Sequence, residues 1–401
     1  MKNNIKVFVL PSWYPPHGGN FFQEQISTLN EVLNQVVLYA HPILINDLFS
    51  SPIKYINQIF RKEVSKSDGF TVIRMYYPHI PKFFSLNLFI QNLVFKNLYS
   101  YGLKSFGKPV FLHAYSSIWA GWSAYKLSKM HNIDYIITEH RGRFVDNRFA
   151  KQQKMLPKKF DKYLSKIFSN ASQILTVSSS LKTKIQLYVS NKNLKVKTIP
   201  NLINDELFYK TTVSNASRKK KFKFITICSL KKNKAINILI EAFKDVSKKI
   251  NSKLIVVGDG PERNKLEKLS EYLGLSDQIS FLGWKNRNEV QKLMFKSHVF
   301  VLPTKYEAFG IVYGEALMSG IPSIGTRGSG GPEDIIEHGK NGFLVEVDNI
   351  KELTYFMIKA YEDYNLFNKK DIKLHALEKF GKNTFQKNYR KIFNEIIGKR
   401  K

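Results

Sequence analysis

Two glutamates eight positions apart are the residues whose chemistry the sequence shows most clearly. Glu307 follows an apolar run that predicts a strand ending at Leu302, and Glu315 lies inside a predicted helix that begins near Phe309. The unpaired N–H groups at a helix start attract a diphosphate, and Gly310 lets a ligand approach the backbone. Carboxylates only accept hydrogen bonds, which suits pairs of sugar hydroxyls. The segment therefore favours a nucleotide-sugar site over two ordinary surface glutamates.

Two further loops carry candidate site residues. Gly18 and Gly19 lie where the first predicted strand crosses into a helix, so a ligand can come close to the backbone there, with a plain turn as the alternative. His140 follows another predicted strand, at the end where open α/β sheets place ligands, and a structural histidine is the alternative. Its neighbours Glu139 and Arg141 either face a second substrate or are ordinary surface charges.

The predicted strands and helices that must position these residues alternate regularly along the chain. Short apolar runs alternate with helix-like segments before and after residues 206–222, which lack an apolar period and predict a linker. We therefore expect an α/β protein with two Rossmann-like domains. The predicted strands cover residues 7–10, 35–39, 71–75, 110–113, 133–138, 174–177, 196–199, 222–228, 253–257, 279–282, 298–302, 321–324 and 342–345. The predicted divisions are a first domain at 1–205, the linker at 206–222, a second domain at 223–375 and a C-terminal helix within 376–401 that packs back toward the first domain.

From about Asn349 onward the chain has helical spacing and no strand pattern, which predicts a closing pair of helices. The single cysteine, Cys228, excludes an intramolecular disulfide and a multi-cysteine zinc site, and it fits a reducing compartment. No apolar run reaches the roughly 18 residues of a spanning helix, and the N-terminus has no signal-peptide pattern. We therefore expect neither a membrane anchor nor a leader.

Positive charge is concentrated in one part of the chain. The net charge is +31, residues 51–200 carry 25 basic and 6 acidic residues, and residues 251–350 carry 11 and 13. This distribution predicts a polyanion for the first half, either nucleic acid or an anionic membrane surface, with a compositional bias toward lysine as the alternative. The apolar run at residues 83–95, flanked by Lys82 and Lys96, fits an interfacial helix or an ordinary buried helix equally.

The Glu-x7-Glu spacing, followed by Ala-Leu-Met-Ser-Gly-Ile-Pro-Ser-Ile-Gly-Thr, resembles glycosyltransferase family 4. The likeness continues in residues 257–262, 281–284, 328–336 and 341–345. It implies the GT-B fold, in which two Rossmann-like domains face a central cleft and C-terminal helices close the structure. It also implies a retaining hexosyltransferase that moves a hexose or hexosamine from a nucleotide sugar, expected to be a UDP-sugar, to a glycan or lipid-linked acceptor. The expected process is cell-surface polysaccharide or glycolipid synthesis at the inner face of the cell membrane.

Residue by residue, the resemblance implies that Glu307 binds donor sugar hydroxyls, Glu315 binds the ribose and His140 stabilises the reacting centre. Gly18 and Gly19 would face the donor diphosphate across the cleft. The backbone amides expected to contact the sugar and diphosphate are those of Phe309, Gly310, Ile311 and Val312.

The expected diphosphate clamp departs from the family pattern. Lys234 matches the family lysine, but Ser229 stands where the family has an arginine. Serine removes a bidentate phosphate contact that an ammonium group cannot reproduce, so Lys231 or Lys232 would have to compensate or the donor would bind more weakly. Asn201 resembles the family asparagine at the end of the first domain, where a cleft role and a turn role are equally open.

No Asp-x-Asp sequence occurs in the chain, so the usual sign of a metal held between carboxylates and a diphosphate is missing. We therefore expect transfer without a metal or another cofactor, and no nucleic-acid partner. Two alternatives stay open: another nucleotide-sugar enzyme of the same architecture, such as an epimerase or phosphorylase, and an inactive binding protein whose basic half contacts membrane or nucleic acid.

Overall fold

The computed structural model describes residues 5–15, 20–144, 160–191, 193–209 and 221–398. Within these residues the chain forms two β-sheets with helices on both faces. The first sheet has eight strands in the order β3-β4-β2-β1-β5-β6-β7-β8, and the second has six in the order β11-β10-β9-β12-β13-β14. All neighbouring strands run parallel except β3 and β4. The predicted α/β class with two Rossmann-like halves is confirmed.

The first sheet comprises β1 Lys6–Pro11, β2 Asn34–Leu44, β3 Lys62–Ser67, β4 Phe70–His79, β5 Phe111–Tyr115, β6 Tyr135–Glu139, β7 Gln173–Thr176 and β8 Val196–Thr198. The second sheet comprises β9 Phe222–Ile227, β10 Ser252–Val257, β11 Ile279–Phe281, β12 Val299–Val301, β13 Ser323–Arg327 and β14 Gly342–Glu346. Along β1, Phe8 and Leu10 enter one apolar core while Val7 and Val9 enter the other, because successive side chains point to opposite faces. Both faces of the first sheet are therefore covered.

The helices up to residue 209 are α1 Asn20–Asn30, α2 Asp47–Ser50, α3 Pro52–Gln58, α4 Phe84–Phe106, α5 Trp122–His131, α6 Asp161–Ser169, α7 Ser179–Gln186 and α8 Glu206–Tyr209, of which α8 lies within the stretch expected to be a linker. Those after residue 221 are α9 Ile236–Lys249, α10 Arg263–Tyr272, α11 Arg287–Phe295, α12 Ile311–Met318, α13 Pro332–Ile335, α14 Ile350–Glu362, α15 Lys369–Phe380 and α16 Lys382–Gly398. The predicted strands all correspond to observed ones, whereas β3 was not predicted.

The chain after β14 folds into three helices, so the expected pair was wrong. Asn368 accepts hydrogen bonds from the backbone N–H groups of Lys370 and Asp371 and thereby starts α15. Gly381, in an extended conformation, ends α15 and starts a new direction. Because the spacing of apolar residues is helical on both sides of this break, periodicity alone predicts one continuous helix there.

The last helix, α16, leaves the second sheet and packs on the first. Its apolar face belongs to the core that β1, β2, β4, β5, β6 and β7 form with α1, through Phe385, Tyr389, Ile392, Phe393 and Ile396. Where the chain crosses, Ile203 N–H donates to the Phe380 carbonyl at 3.1 Å, and Lys382 N–H donates to Asp205 at 3.0 Å. The chain thus passes between the domains twice, and the two crossings contact each other.

Candidate active site

A cavity of about 340 Å³ lies between the two sheets, where the loops at the C-terminal ends of the strands meet. We call it the cleft pocket. Residues from both halves line it: Phe21, His140, Asn201, Ile227, Cys228, Ser229, Lys234, Leu302, Glu307, Ala308, Phe309, Gly310, Ile311 and Val312. Its size is in the range of small-molecule sites.

The loop that carries Glu307 is held in place by backbone hydrogen bonds to its neighbour. Glu307 N–H donates to the Ser329 carbonyl at 2.8 Å, and Gly331 N–H donates to the Glu307 carbonyl at 2.9 Å. Gly310 then adopts a positive φ of 89°, which favours glycine, and α12 begins at the next residue. The start of α12, with its unpaired N–H groups, therefore forms one wall of the cleft pocket.

Lys234 reaches the same space from the loop after β9. The Asn233 carbonyl accepts hydrogen bonds from Lys305 N–H at 2.8 Å and from the Thr304 hydroxyl at 3.0 Å, which ties this loop to the Glu307 loop. The ammonium of Lys234 forms an ion pair with the carboxylate of Glu307, and their side chains are only 16% and 21% exposed. A cation for phosphate and an acceptor for hydroxyls are thus adjacent before any ligand binds.

The position at which the family has an arginine is occupied by Ser229 and is open to solvent. Ser229 is exposed at the edge of the cleft pocket, and Lys231 and Lys232 are exposed outside its lining. Among the described residues that line the pocket, Lys234 is the one lysine or arginine. Burial raises the pKa of the neighbouring Cys228 thiol to about 12, so that side chain stays protonated and is no thiolate nucleophile.

His140 contributes a neutral imidazole to the opposite wall. Its ring stacks on Tyr115 with ring centroids 5.6 Å apart and contacts Phe21 at the same separation. Burial lowers the pKa of His140 to about 4, although the Glu139 carboxylate opposes that shift. A side-chain hydrogen bond from Asn201, which lines the same pocket, also opposes that shift. The ring borders the cleft pocket, where it can hydrogen-bond a ligand.

The sequence did not decide whether Glu139 faces a second substrate or is an ordinary surface charge. In the structure Glu139 is fully buried. Its carboxylate accepts hydrogen bonds from the hydroxyls of Ser116 and Ser117 and from the N–H groups of Ser117, His140 and Arg141, at 2.5 to 3.0 Å. Glu139 therefore anchors the end of β6 to the loop after β5. The same carboxylate holds the backbone of His140 through the His140 N–H group.

The buried imidazole predicts a measurable dependence of stability on pH. The unfolded chain binds a proton at His140 near pH 6.5, whereas the folded protein does so only near pH 4. The resulting stabilisation is present above pH 6.5 and is lost as the pH falls toward 4. We expect the free energy of unfolding of the wild type to fall relative to that of His140→Asn between pH 7 and pH 5, as measured by urea denaturation. If the free energies of unfolding of the two proteins changed in parallel with pH, this would contradict a buried, neutral imidazole at His140.

Glu315 lies one helical turn into α12 and outside the cleft-pocket lining. It faces Arg287, whose Nη2 is 3.5 Å from Glu315 Oε1, and Arg287 also forms an ion pair with Glu24 of α1. Burial raises the pKa of Glu315, while Arg287 lowers it. Arg287 thus bridges the two domains through one carboxylate on each side.

The structure brings together most of the predicted site residues. His140, Ser229, Lys234, Glu307 and the backbone of residues 309–312 line one cavity, and Glu315 lies on the adjoining helix. Gly18 and Gly19 lie outside the described residues. Phe21, Cys228 and Arg287 were not predicted as site residues, because they have no motif of their own. Among the described residues, no group of three or more His, Cys, Asp or Glu side chains has the arrangement of a metal site.

Two family models match the chain. "Glycosyltransferase Family 4" matches residues 58–207, and "Glycosyl transferases group 1" matches residues 210–384. N-acetyl-alpha-D-glucosaminyl L-malate synthase of Bacillus anthracis is 30% identical over 179 residues, which are 43% of this chain and 46% of that protein. The gpi3 subunit of phosphatidylinositol N-acetylglucosaminyltransferase of Schizosaccharomyces pombe is 28% identical over 210 residues, 51% of this chain and 45% of that protein. The matched regions span about half the length of these curated relatives.

Solved structures share the whole architecture. Sucrose-phosphate synthase from Thermosynechococcus elongatus superposes with a TM-score of 0.77 at 18% identity, covering 98% of this chain and 99% of that one. HepE from Anabaena, solved in complex with UDP and glucose, superposes with a TM-score of 0.71 at 18% identity, covering 98% and 100%. At this identity the likeness establishes the shared fold.

Proposed function

Because the chain belongs to glycosyltransferase family 4, we propose that it transfers a hexose or hexosamine from a nucleotide sugar to a glycan or lipid-linked acceptor with retention of anomeric configuration. The observation that carries the proposal is the cleft pocket, in which Glu307, Lys234 and His140 surround one space. The UDP bound by HepE and the lipid named for the gpi3 relative are consistent with a UDP-sugar and a lipid-linked acceptor.

In the proposed reaction, binding of the donor breaks the ion pair between Lys234 and Glu307. Lys234 turns from Glu307 to the diphosphate and, with the N–H groups at the start of α12, neutralises the charge that develops as the sugar bond breaks. Glu307 accepts hydrogen bonds from sugar hydroxyls, and His140, being neutral, hydrogen-bonds the sugar without adding charge. The acceptor hydroxyl attacks from the face that the diphosphate leaves and passes its proton to a diphosphate oxygen, which retains the configuration.

The experiment that tests this function is a panel of UDP-, GDP- and ADP-sugars incubated with the protein and with lipid-linked acceptors. We expect hydrolysis or transfer from a UDP-sugar, with the anomeric configuration of the product read by NMR. Epimerised sugar without transfer would identify the related nucleotide-sugar enzyme. Turnover of none of the donors, together with binding to vesicles, would favour the inactive membrane-binding protein.

The absence of an Asp-x-Asp sequence supports a second expectation for the same assay. Transfer should survive excess EDTA, because amides and Lys234 rather than a cation neutralise the diphosphate in the proposed reaction. The rates are compared before chelation, after chelation and after adding back Mg²⁺ or Mn²⁺. A loss of rate that only the added cation restores would overturn the metal-independent reaction.

We further propose that the first domain lies on the cytoplasmic face of an anionic membrane. One face of α4 packs on β2 and β4, and the other exposes the apolar row Phe83, Leu86, Phe89 and Leu93. Around α3, Phe49, Ile53 and Ile56 are exposed as well. Exposed basic residues accompany both helices: Lys54, Arg61, Lys82 and Lys96. Apolar side chains with basic neighbours suit the headgroup region of an anionic bilayer. None of the described helices has the length and apolar composition needed to span a membrane.

Sedimentation with vesicles tests the proposed attachment. Each basic residue at an anionic surface contributes about 1 kcal/mol, so we expect binding to phosphatidylglycerol vesicles that weakens with salt and is absent from phosphatidylcholine vesicles. The double change Phe89→Ser and Leu93→Ser should reduce binding severalfold. The matched control is Leu366→Ser, which removes an 81% exposed leucine from the second domain. Equal binding to neutral vesicles, or binding to nucleic acid but not to vesicles, would exclude the model.

A further inference from the structure

A second cavity, of about 810 Å³, lies in the first domain, away from the cleft pocket. It forms where β2 and β4 end side by side, with α2 and α3 over it, and we call it the β2–β4 pocket. The two strand ends stay together because Ile45 N–H donates to the His79 carbonyl at 3.1 Å. The polar side chains that line it are His41, Asp47, Ser50, Ser51, Lys54, Tyr55, Gln58, Arg74, Tyr76 and His79.

Arg74 gives this pocket its chemistry. Its Nη2 donates to the Pro15 carbonyl at 2.8 Å, which fixes the guanidinium, while its Nε is buried and makes no hydrogen bond to the described residues. The Tyr55 hydroxyl and His79 Nδ1 are likewise buried without a partner within the described part of the chain. Buried polar groups are normally hydrogen-bonded, so these three groups are suited to bind a polar ligand in the pocket.

The charges favour an anion. Lys54 and Arg74 are the cations of the lining, and Asp47, exposed at the start of α2, is its one carboxylate among the described residues. A planar guanidinium with a free N–H suits phosphate oxygens, and a lysine adds a point charge.

The pocket is too far from His140 to hold the sugar being transferred. In the order β2-β1-β5-β6, three strand spacings separate it from His140, which is about 14 Å at 4.8 Å per spacing. Any substrate part bound here belongs to a remote end of the acceptor. The exposed apolar residues Phe49, Ile53 and Ile56 lie on the helices that cover the pocket.

We propose that the β2–β4 pocket binds a phosphate or diphosphate group at the end of the acceptor remote from the hydroxyl that is glycosylated. The inference rests on the proposed function, and it specifies the acceptor as a phosphate-bearing molecule. A lipid-linked phosphate and a free sugar phosphate share this chemistry, and α2 and α3 would contact the chain of the former.

The test is calorimetric titration with hexyl diphosphate and, separately, with inorganic pyrophosphate, in a Lys234→Gln background that removes the donor-site lysine. We expect one site whose affinity falls at least tenfold with Arg74→Gln and about threefold with Lys54→Gln. Arg74→Lys keeps a positive charge but loses the planar guanidinium, which can donate two parallel hydrogen bonds. This variant should bind with intermediate affinity. Lys104→Gln, an exposed lysine near the end of α4, should bind as the parent does. Thermal melting confirms that each variant folds.

Tighter binding of hexyl diphosphate indicates a lipid-linked source, and equal binding indicates a free phosphate; both support the pocket. Affinity that Arg74→Gln and Arg74→Lys leave unchanged would overturn it. Nucleotide-sugar hydrolysis by the wild type is measured in parallel. Its absence would count against the proposed function, whereas the titration alone decides phosphate binding by the pocket.

Discussion

Glu307→Ala is expected to lower kcat/KM for transfer by on the order of 10²- to 10⁴-fold while the protein stays folded. In the proposed complex the carboxylate accepts two hydrogen bonds from sugar hydroxyls, and hydrogen bonds to a charged group are worth about 1.5–3 kcal/mol each. The side chain lies in the cleft pocket, so its removal leaves no cavity in a core. Steady-state kinetics with the preferred donor measure the effect, and thermal melting checks the fold.

Two variants separate this role from a general effect of charge. Glu307→Gln keeps the shape but not the charge, so it should recover part of the loss. Glu271→Ala removes an exposed glutamate of α10 and should leave the kinetics unchanged. Near-normal turnover by Glu307→Ala would rule out its assignment to the donor sugar.

Gly331→Ala should destabilise the second domain by about 1–3 kcal/mol and weaken donor binding at least tenfold. A Cβ atom at this position would lie 2.2 Å from Phe309 Cα and 2.3 Å from the Phe309 carbonyl oxygen. The φ of Gly331 is −56°, so the requirement for glycine is close approach rather than strain. Relief of the clash must move the backbone of residues 309–310, which lines the cleft pocket, and must disturb the contact of Phe309 with Phe380.

Thermal melting and calorimetric titration with the donor test the two effects together. The matched control is Gly398→Ala at the end of α16, where an added Cβ would have no neighbour within 4 Å among the described atoms. That variant should melt and bind as the wild type does. Wild-type stability and donor affinity in Gly331→Ala would show that the two loops are not in rigid contact.

The parts of the fold that follow from local pattern were predictable. Buried parallel strands are nearly continuous apolar runs, and the boundary at Gly310 follows from the strand, loop and helix signals around it. β3 was missed because its sequence, Lys-Glu-Val-Ser-Lys-Ser, is polar. It is an edge strand that pairs only with β4. Because neither of its faces is buried, its sequence does not alternate between apolar and polar residues.

The parts of the site that depend on distant residues were not predictable. Arg287 meets Glu24 across 263 positions, and no spacing rule connects an α11 residue to an α1 residue. Glu139 could not be distinguished from a surface charge, because its burial depends on the loop after β5 folding over it. His140 was predicted from its position after a strand together with the family resemblance, and Lys234 from the resemblance, but their placement in one cavity required the structure.

The path of α16 has a consequence for how the protein is made. One core of the first domain includes Phe385, Tyr389 and Phe393, yet the last strand of its sheet ends at Thr198. At about 5–20 residues per second, a ribosome needs on the order of 10 to 40 s to synthesise the intervening segment. During that time Phe111 and His113 lack the helix whose Phe393 and Tyr389 rings contact them in the finished protein. The nascent first domain therefore presents an apolar sheet face to chaperones and to other chains until translation is almost complete.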